Sequence, residues 1–196
     1  MIEIGNLRQD DIDHAAQLLA EAFVTDGGMT SLYPPMTDGA LKSAIKGWFV
    51  ATLKTWLSQN QIVLAALVDQ QLVGVLVGGH THFKMNPIAQ LNWVWGVWRT
   101  GGLSPVLRTM KHDEEREATF NGQKMHIVEF VAVDQNQRGA GVGRQLFDQF
   151  HQRLDENAPV WLETTRQENL SIFEKLSYQE SSRTVSFDVE HIQMIK

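Results

Sequence analysis

The residues best placed to do chemistry in this 196-residue sequence are three glycines bracketed by arginines: Arg138-Gly139-Ala140-Gly141-Val142-Gly143-Arg144. Glycine in a loop costs backbone entropy, so three at alternate positions point to a partner that must approach the main chain more closely than a Cβ allows. An apolar run, Val131-Ala132-Val133, leads in. An amphipathic stretch leads out, with Val142, Leu146, Phe147, Phe150 and Leu154 on one face of a helix expected over 142–156. A strand that enters a glycine turn and then a helix presents the unpaired first-turn N–H groups, and the helix dipole adds to their attraction for an anion. Diphosphate suits such a place, with Arg138 and Arg144 adding charge-assisted contacts. Two well-known phosphate loops do not fit. The nucleoside-triphosphate loop needs Gly-Lys followed by Ser or Thr, but Gly143 is followed by Arg144-Gln145. The dinucleotide fingerprint needs G-x-G-x-x-G in a first βα unit, whereas the spacing here is G-x-G-x-G, late in the chain.

Those residues need a scaffold. Apolar spacing predicts a helix from Asp10 to Phe23, with Asp10 or Asp11 as N-cap, and a second helix carried by Leu41, Ile45, Trp48, Thr52, Leu53 and Trp56. A loop rich in Gly, Pro and Asp separates them over 24–38. Two apolar runs within 62–79, joined by Asp69-Gln70-Gln71, read as an antiparallel hairpin. Residues 86–119 read as two helices, opened by Asn86-Pro87 and Ser104-Pro105 and separated by Gly101-Gly102. Strands are expected over 125–133 and 159–165, a short helix over 168–176 and one final strand over 184–189. The order β-α-α-β-β-α-α-β-α-β-α-β implies a mixed α/β sheet rather than a uniform βαβ winding.

Arg138-x-x-Gly141-x-Gly143 matches the [Q/R]-x-x-G-x-[G/A] motif of the GNAT superfamily of acyl-CoA N-acyltransferases, and the resemblance extends to both flanks. The lead-in is similar to that family's fourth strand, with Gln135 where a Pro is usual. The stretch 160–179, VWLETTRQENLSIFEKLSYQ, is similar to its fifth strand and following helix. The long 80–125 segment and the Leu162-Glu163-Thr164 strand resemble, more weakly, the puromycin-acetyltransferase-like branch. The resemblance covers most of the chain and implies a single domain over 1–196. Its fold would be the GNAT α/β fold, a mixed, mostly antiparallel sheet flanked by helices, with a helical insert around 86–119. It also implies acetyl-CoA as cosubstrate and a primary amine of a small molecule or peptide as acceptor. Main-chain groups of Val131, Ala132 and Val133 would then bond the pantetheine arm, and Arg138, Gly139, Ala140, Gly141, Val142, Gly143 and Arg144 would wrap the diphosphate, with Asn169 a further contact to coenzyme A. The family's usual tyrosine general acid falls at Phe173, so the departing thiolate lacks its customary proton donor. The only tyrosines are Tyr33, in the loop before the second helix, and Tyr178, at a packing position. That departure leaves open an acyl-CoA-binding regulator or sensor, and a nucleotide-binding module is the rival outside the family.

An ammonium acceptor must lose a proton, which calls for a base within reach. Glu129 is the first candidate, expected on the same strand face as Val131. His126, on the other face, is a weaker candidate, and Glu163, on a strand edge near the expected cleft, is a further one. His80 and His82 form a fragment of a metal site without a third ligand, so no metal is expected. The cluster Leu91, Trp93, Val94, Trp95 and Trp98 reads as core packing or a homodimer contact, with an aromatic wall for the acceptor as the alternative. The run Lys111–Glu117 reads as a solvated helix face. Absence of cysteine removes disulfides, thiolate metal ligands and a cysteine nucleophile. A net charge of −6 argues against a nucleic-acid partner, and no apolar run is long enough to span a membrane. A cytoplasmic protein is expected.

Overall fold

A computed structural model of the chain describes residues 1–81, 83–154 and 158–196. Its strands are β1 (Ile2–Asn6), β2 (Val63–Val68), β3 (Gln71–His80), β4 (His126–Val133), β5 (Val160–Thr164), β6 (Gln179–Ser186) and β7 (Val189–Ile195). Its helices are α1 (Ile12–Phe23), α2 (Gly27–Ser31), α3 (Asp38–Ser58), α4 (Pro87–Gly101), α5 (Leu103–Thr119), α6 (Val142–His151) and α7 (Leu170–Glu174). The strands form one sheet in the order β1-β2-β3-β4-β5-β7-β6. All neighbours are antiparallel except β4 and β5. The expected mixed, mostly antiparallel sheet is therefore what the chain forms, and α4 with α5 make the expected helical insert.

Turn chemistry sets the hairpins. Asp69 and Gln70 both have positive φ (50° and 65°), the geometry of a two-residue turn whose twist suits the flanking strands. Phe187 and Asp188 (49° and 63°) repeat it between β6 and β7. Here the single strand expected over 184–189 is corrected. Thr184–Ser186 end β6, Phe187-Asp188 turn the chain, and Val189 begins β7, which inserts between β5 and β6. The alternation of Thr-Val-Ser-Phe-Asp-Val runs unbroken through a turn that lacks the usual Gly or Asn, so no breaker is legible there.

Helix boundaries shift for similar local reasons. Asn86 caps α4 as expected, accepting from the Ala89 N–H at 2.8 Å. Ser104 does not cap α5: the helix starts at Leu103, after Gly102 at φ 79°, and the Ser104 hydroxyl donates to the Leu32 carbonyl instead. Asp11 occupies the N-cap of α1 but gives its carboxylate to Arg8 Nε at 2.7 Å. Within the expected loop 24–38, Asp26 accepts from the Met29 N–H and opens the short α2. Helix α6 ends at His151, short of the expected 156, a stretch whose last two residues lie outside the described ones.

Two apolar layers sandwich the sheet. On one face α1, α3 and α4 bury Leu19, Ile45, Phe49 and Trp93 against Val75, Val77 and Ala132. On the other, α6 buries Leu146 and Phe150 against Leu64, Leu76, Leu162 and Met194. Each fully buried side chain of this size contributes about 1.5–3 kcal/mol. Contact under α6 is close: a Cβ on Gly78 would lie 2.2 Å from Phe150 Cε2. Among the described residues no helix is long and apolar enough to cross a membrane.

Candidate functional site

The sheet opens in its middle. Strands β4 and β5 share three rungs, His126↔Val160, Ile127↔Trp161 and Val128↔Leu162, and then part. Past that fork, Glu129–Val133 on one arm and Glu163–Thr164 on the other have no strand partner across the gap among the described residues. Main-chain groups left facing such a gap are a ready edge for an extended ligand carrying amides. A cleft of about 1260 Å³ runs from the fork to the turn before α6.

The glycine turn closes its far end. Gly139 and Gly141 have φ of 82° and 83°, the left-handed region where glycine alone is unstrained, and Gly141 is the residue that opens α6. A Cβ at either would meet no atom within 4 Å. Gly143 needs no such freedom, since its Cβ would rest 3.7 Å from Val133 Cγ2. The N–H groups of Val142, Gly143 and Arg144 lie in the first turn of α6, with no helical carbonyl behind them. Val142 is anchored by its side chain, 1% exposed in the core under the sheet. Arg138, Gly139, Gly141, Val142, Gly143 and Arg144 all border the cleft, as do Val131, Ala132 and Val133; Ala140 does not. Asn169 also borders it, donating from Nδ2 to Thr164 Oγ1 at 3.2 Å.

Phe173 lines the cleft and packs on Phe147 and Tyr178. Neither tyrosine replaces it. The Tyr33 hydroxyl is buried beside Gly101 without a hydrogen-bond partner among the described residues, and burial raises its pKa. Tyr178 is buried against His151 Nε2 at 2.9 Å, and its pKa is likewise raised. Both lie outside the cleft lining.

A bulge re-aims Glu129. Val77 pairs with Phe130 and Gly78 with Val128, which leaves Glu129 as the extra residue of β4. The expectation that Glu129 and Val131 share a face is therefore overturned: Val131 packs with the α6 layer, while Glu129 reaches α5. Arg116 of α5 donates to it from Nη1 at 2.7 Å and from Nη2 at 3.4 Å. Asp113 adds a contact to the same guanidinium at 3.1 Å. Burial works against the Arg116 charge, but the Glu129 and Asp113 carboxylates more than offset it and hold the proton on.

Glu163, the first residue past the fork on β5, receives two imidazoles on one oxygen. His112 Nε2 lies 3.1 Å from Oε1 and His191 Nδ1 lies 2.7 Å from it. Burial raises the carboxyl's proton affinity, yet the two imidazoles outweigh that and bring its pKa down to about 2. For His112, burial opposes the charge and Glu163 overcomes it, leaving the pKa above the ordinary histidine value. His112 and Arg116 stand one turn apart on α5, so one helix face serves both carboxylates of the fork. The run Lys111–Glu117 is thus not the solvated face expected, because two of its members turn inward. His112, Glu163 and His191 offer ligand atoms within 4.8 Å of one another, but they are arranged as hydrogen-bond partners rather than as metal ligands. The 2.7 Å contact on a shared oxygen is a hydrogen-bond length, shorter than the roughly 3.3 Å between two ligands of a tetrahedral ion at ~2.0 Å.

His126 lies at the opposite end of β4 from the glycine turn and outside the cleft lining. His82 falls outside the described residues, so the pairing with His80 has no structural account. The tryptophan cluster divides: Trp93 lines the cleft and donates to Thr52 Oγ1 at 3.0 Å, whereas Trp95 and Trp98 stack outside it at 5.0 Å. Trp48, Trp56 and Phe130 complete an aromatic wall that sequence reading did not assign. Their helical or strand spacing is that of core residues, and only the fork exposes them.

No protein-family model and no curated protein matches the sequence. Solved structures do. The Corynebacterium glutamicum protein described as histone acetyltransferase HPA2 and related acetyltransferase superposes with a TM-score of 0.71 at 16% identity, over 100% of this chain and 95% of that one. An N-acetyltransferase from Staphylococcus aureus gives 0.58 at 12% identity, over 100% and 98%. The polyamine N-acetyltransferase of Drosophila melanogaster gives 0.56 at 16%, over 100% and 98%. With an open fork between β4 and β5 and a glycine turn opening α6, the chain has the fold of the GNAT N-acetyltransferases.

Proposed function

We propose that the protein is an enzyme that transfers the acetyl group of acetyl-CoA to a primary amine of a small molecule or peptide. One observation carries the reading: a strand edge left unpaired among the described residues and a glycine turn that opens a helix border one cleft, an arrangement that suits an extended, amide-bearing, doubly phosphorylated ligand. The residues suit that ligand, since the first-turn N–H groups have no helical carbonyl to meet and a Cβ-sized space stands open at Gly139 and Gly141. Acetyl-CoA supplies an activated acyl carbon and a thiolate that can leave.

The chain's part is to bind, orient and move protons. In this reading Val131, Ala132 and Val133 pair with the pantetheine amides, and one of their N–H groups supports negative charge developing on the carbonyl oxygen. Residues 138–144 hold the diphosphate, with Ala140 contributing through backbone alone, and Asn169 completes the coenzyme contacts. Glu129 is the acceptor-side carboxylate. Arg116 fixes its position with two hydrogen bonds, at 2.7 and 3.4 Å, which suits it to align a cationic amine. Among the structural neighbours, an agmatine and a polyamine N-acetyltransferase are named for cationic amines, which agrees with that role. No metal enters the reaction, and the compartment is the cytoplasm.

A second reading has its own support. Phe173 stands in the cleft where a proton donor is usual, and both tyrosines lie elsewhere. Water can protonate the thiolate, at a cost of about 10²–10⁴-fold in rate against a positioned acid. An acyl-CoA sensor is the outcome if binding is tight and transfer absent. Calorimetry with acetyl-CoA, then free-thiol release with phenethylamine, agmatine, spermidine, glucosamine and a lysine peptide, separates the two. Binding with release supports the enzyme, binding with silence across the panel supports the sensor, and no binding ends both.

A further inference from the structure

We propose that His112, held by Glu163 and backed by His191, accepts the proton of the attacking amine. The inference rests on the acetyl-transfer reading above. Two carboxylates stand at the fork and neither is free to act as base. Both Arg116 nitrogens engage Glu129, and two imidazoles occupy Glu163. An ionised carboxylate only accepts hydrogen bonds, so His112 Nε2 and His191 Nδ1 are the protonated nitrogens of their rings. That tautomer leaves the lone pair of His112 on Nδ1. His112 borders the cleft with a side chain 21% exposed, whereas His191 is 5% exposed and serves to position Glu163. Charged groups from two elements bear on the proton affinity of His112. Glu163 of β5 and Asp113 and Glu115 of α5 raise it, Arg116 of α5 lowers it, and the His191 ring of β7 lies 4.8 Å away.

The step balances. The amine nitrogen forms its bond to the acyl carbon, one N–H bond breaks, and its electron pair stays on nitrogen. The proton passes to His112 Nδ1, and Glu163 stabilises the imidazolium, as a carboxylate does behind a catalytic histidine. The C–S bond then breaks, the thiolate takes a proton from water, and the imidazolium returns its proton to solvent.

The test is the pH profile of kcat/KM, with acetyl-CoA and whichever panel amine turns over, for wild type, His112→Gln and Glu163→Gln. Coenzyme binding is followed in parallel by calorimetry and folding by circular dichroism. Expected are a fall in kcat of about 100-fold or more for His112→Gln with coenzyme affinity unchanged, and, for Glu163→Gln, an acid limb displaced to lower pH because the anion that raises the imidazole pKa is gone. Titration of the His112 ring by ¹⁵N NMR reads the same displacement without turnover. A His112→Gln protein with wild-type rate and limb overturns the relay and leaves acetyl transfer standing. A wild type that binds coenzyme but acetylates no amine overturns the transfer reading and the relay with it.

On the outer surface, Ile88, Leu91, Trp95 and Trp98 of α4 and Leu103, Leu107 and Met110 of α5 form an apolar stripe at three- and four-residue spacing, each 46–73% exposed. We infer that a second copy of this chain covers it. Together these side chains present roughly 700–800 Å² per protomer, the half-interface of a stable complex. Helix α4 carries a single charge, Arg99, and α5 carries both signs, Arg108, Lys111 and Arg116 against Asp113, Glu114, Glu115 and Glu117, so the pair lacks the one-signed basic face of a membrane-surface helix. Met110 also lines the cleft, which sets the interface at its mouth. Sedimentation at tens of micromolar should give twice the 22.2 kDa chain mass, and Leu91→Lys with Trp95→Glu should give a folded monomer. A wild-type monomer overturns the inference, whether it stays in solution or floats with anionic lipid vesicles.

Discussion

Gly141→Ala is the sharpest test of the glycine turn, because structure separates its two effects. The residue sits at φ 83° and ψ 6°, where an alanine costs about 1–2 kcal/mol. For a chain of this size that lowers Tm by about 2–8 °C. The added Cβ touches nothing within 4 Å, so it makes no clash in the free protein. Gly141 lines the cleft, so in the proposed reading the methyl competes with the diphosphate, and losing one charge-assisted hydrogen bond there, about 1.5–3 kcal/mol, weakens coenzyme A binding by roughly 10–150-fold. Gly143→Ala is the control. Its Cβ finds Val133 Cγ2 at 3.7 Å, an ordinary contact, and a helical alanine in place of glycine adds about 0.5–1 kcal/mol. That variant should melt later than wild type and bind as wild type does. Calorimetric titration well below both melting points, paired with scanning calorimetry, reads affinity apart from stability. A Gly141→Ala protein that binds coenzyme A with undiminished affinity would refute the assignment of the turn to diphosphate.

Three further outcomes follow from the core and the fork. Arg116→Ala leaves the Glu129 carboxylate, 11% exposed, without its partner and should cost about 3–5 kcal/mol in urea unfolding; adding Glu129→Ala should restore much of this, and strictly additive losses would contradict the pairing. Gly78→Ala drives a Cβ to 2.2 Å from a ring that is fully buried, so it should destabilise by about 1–3 kcal/mol, with partial recovery when Phe150→Leu is added. Glu163 has a folded pKa of about 2 against an ordinary 4.5, so its contribution is complete above about pH 4.5 and disappears as pH falls toward 2. His112, with a raised folded pKa, contributes fully below its ordinary 6.5 and loses that contribution as pH rises through the folded value. Wild-type stability measured by denaturant should therefore decline on both sides of a plateau between these limits, and Glu163→Gln should flatten both limbs.

Much of the fold was legible because it is written in local pattern. The alternating runs of β2 and β3, the amphipathic faces of α1 and α6, and the Asn86-Pro87 start of α4 each state their own geometry. The strand, glycine turn and helix of residues 131–151 were equally readable, since they lie within one short segment. The side chains gathered at the fork were not. Glu129 was read correctly as a strand residue but its direction depends on a bulge opposite Val77 and Gly78, set by pairing with a strand some fifty residues away. His191 was invisible while β7 was unread, and β7 is buried along Ile192–Met194 without the alternation that marks a half-exposed strand. His112 sits in a run of seven charged or titratable residues, where nothing local tells the inward face from the outward one.

Three rungs join the two halves of the sheet, all at one end. Past the fork the halves meet through side chains, among them Asp26 to Thr165, Arg166 to Thr25, Glu115 to Ser186 and His112 to Glu163. Such an arrangement behaves as a clothes-peg, stiff at the spring and compliant at the jaws. Thermal motion should open the jaws first, so a guest gripped between them would act as a rivet and tighten parts of the molecule far from its own contacts.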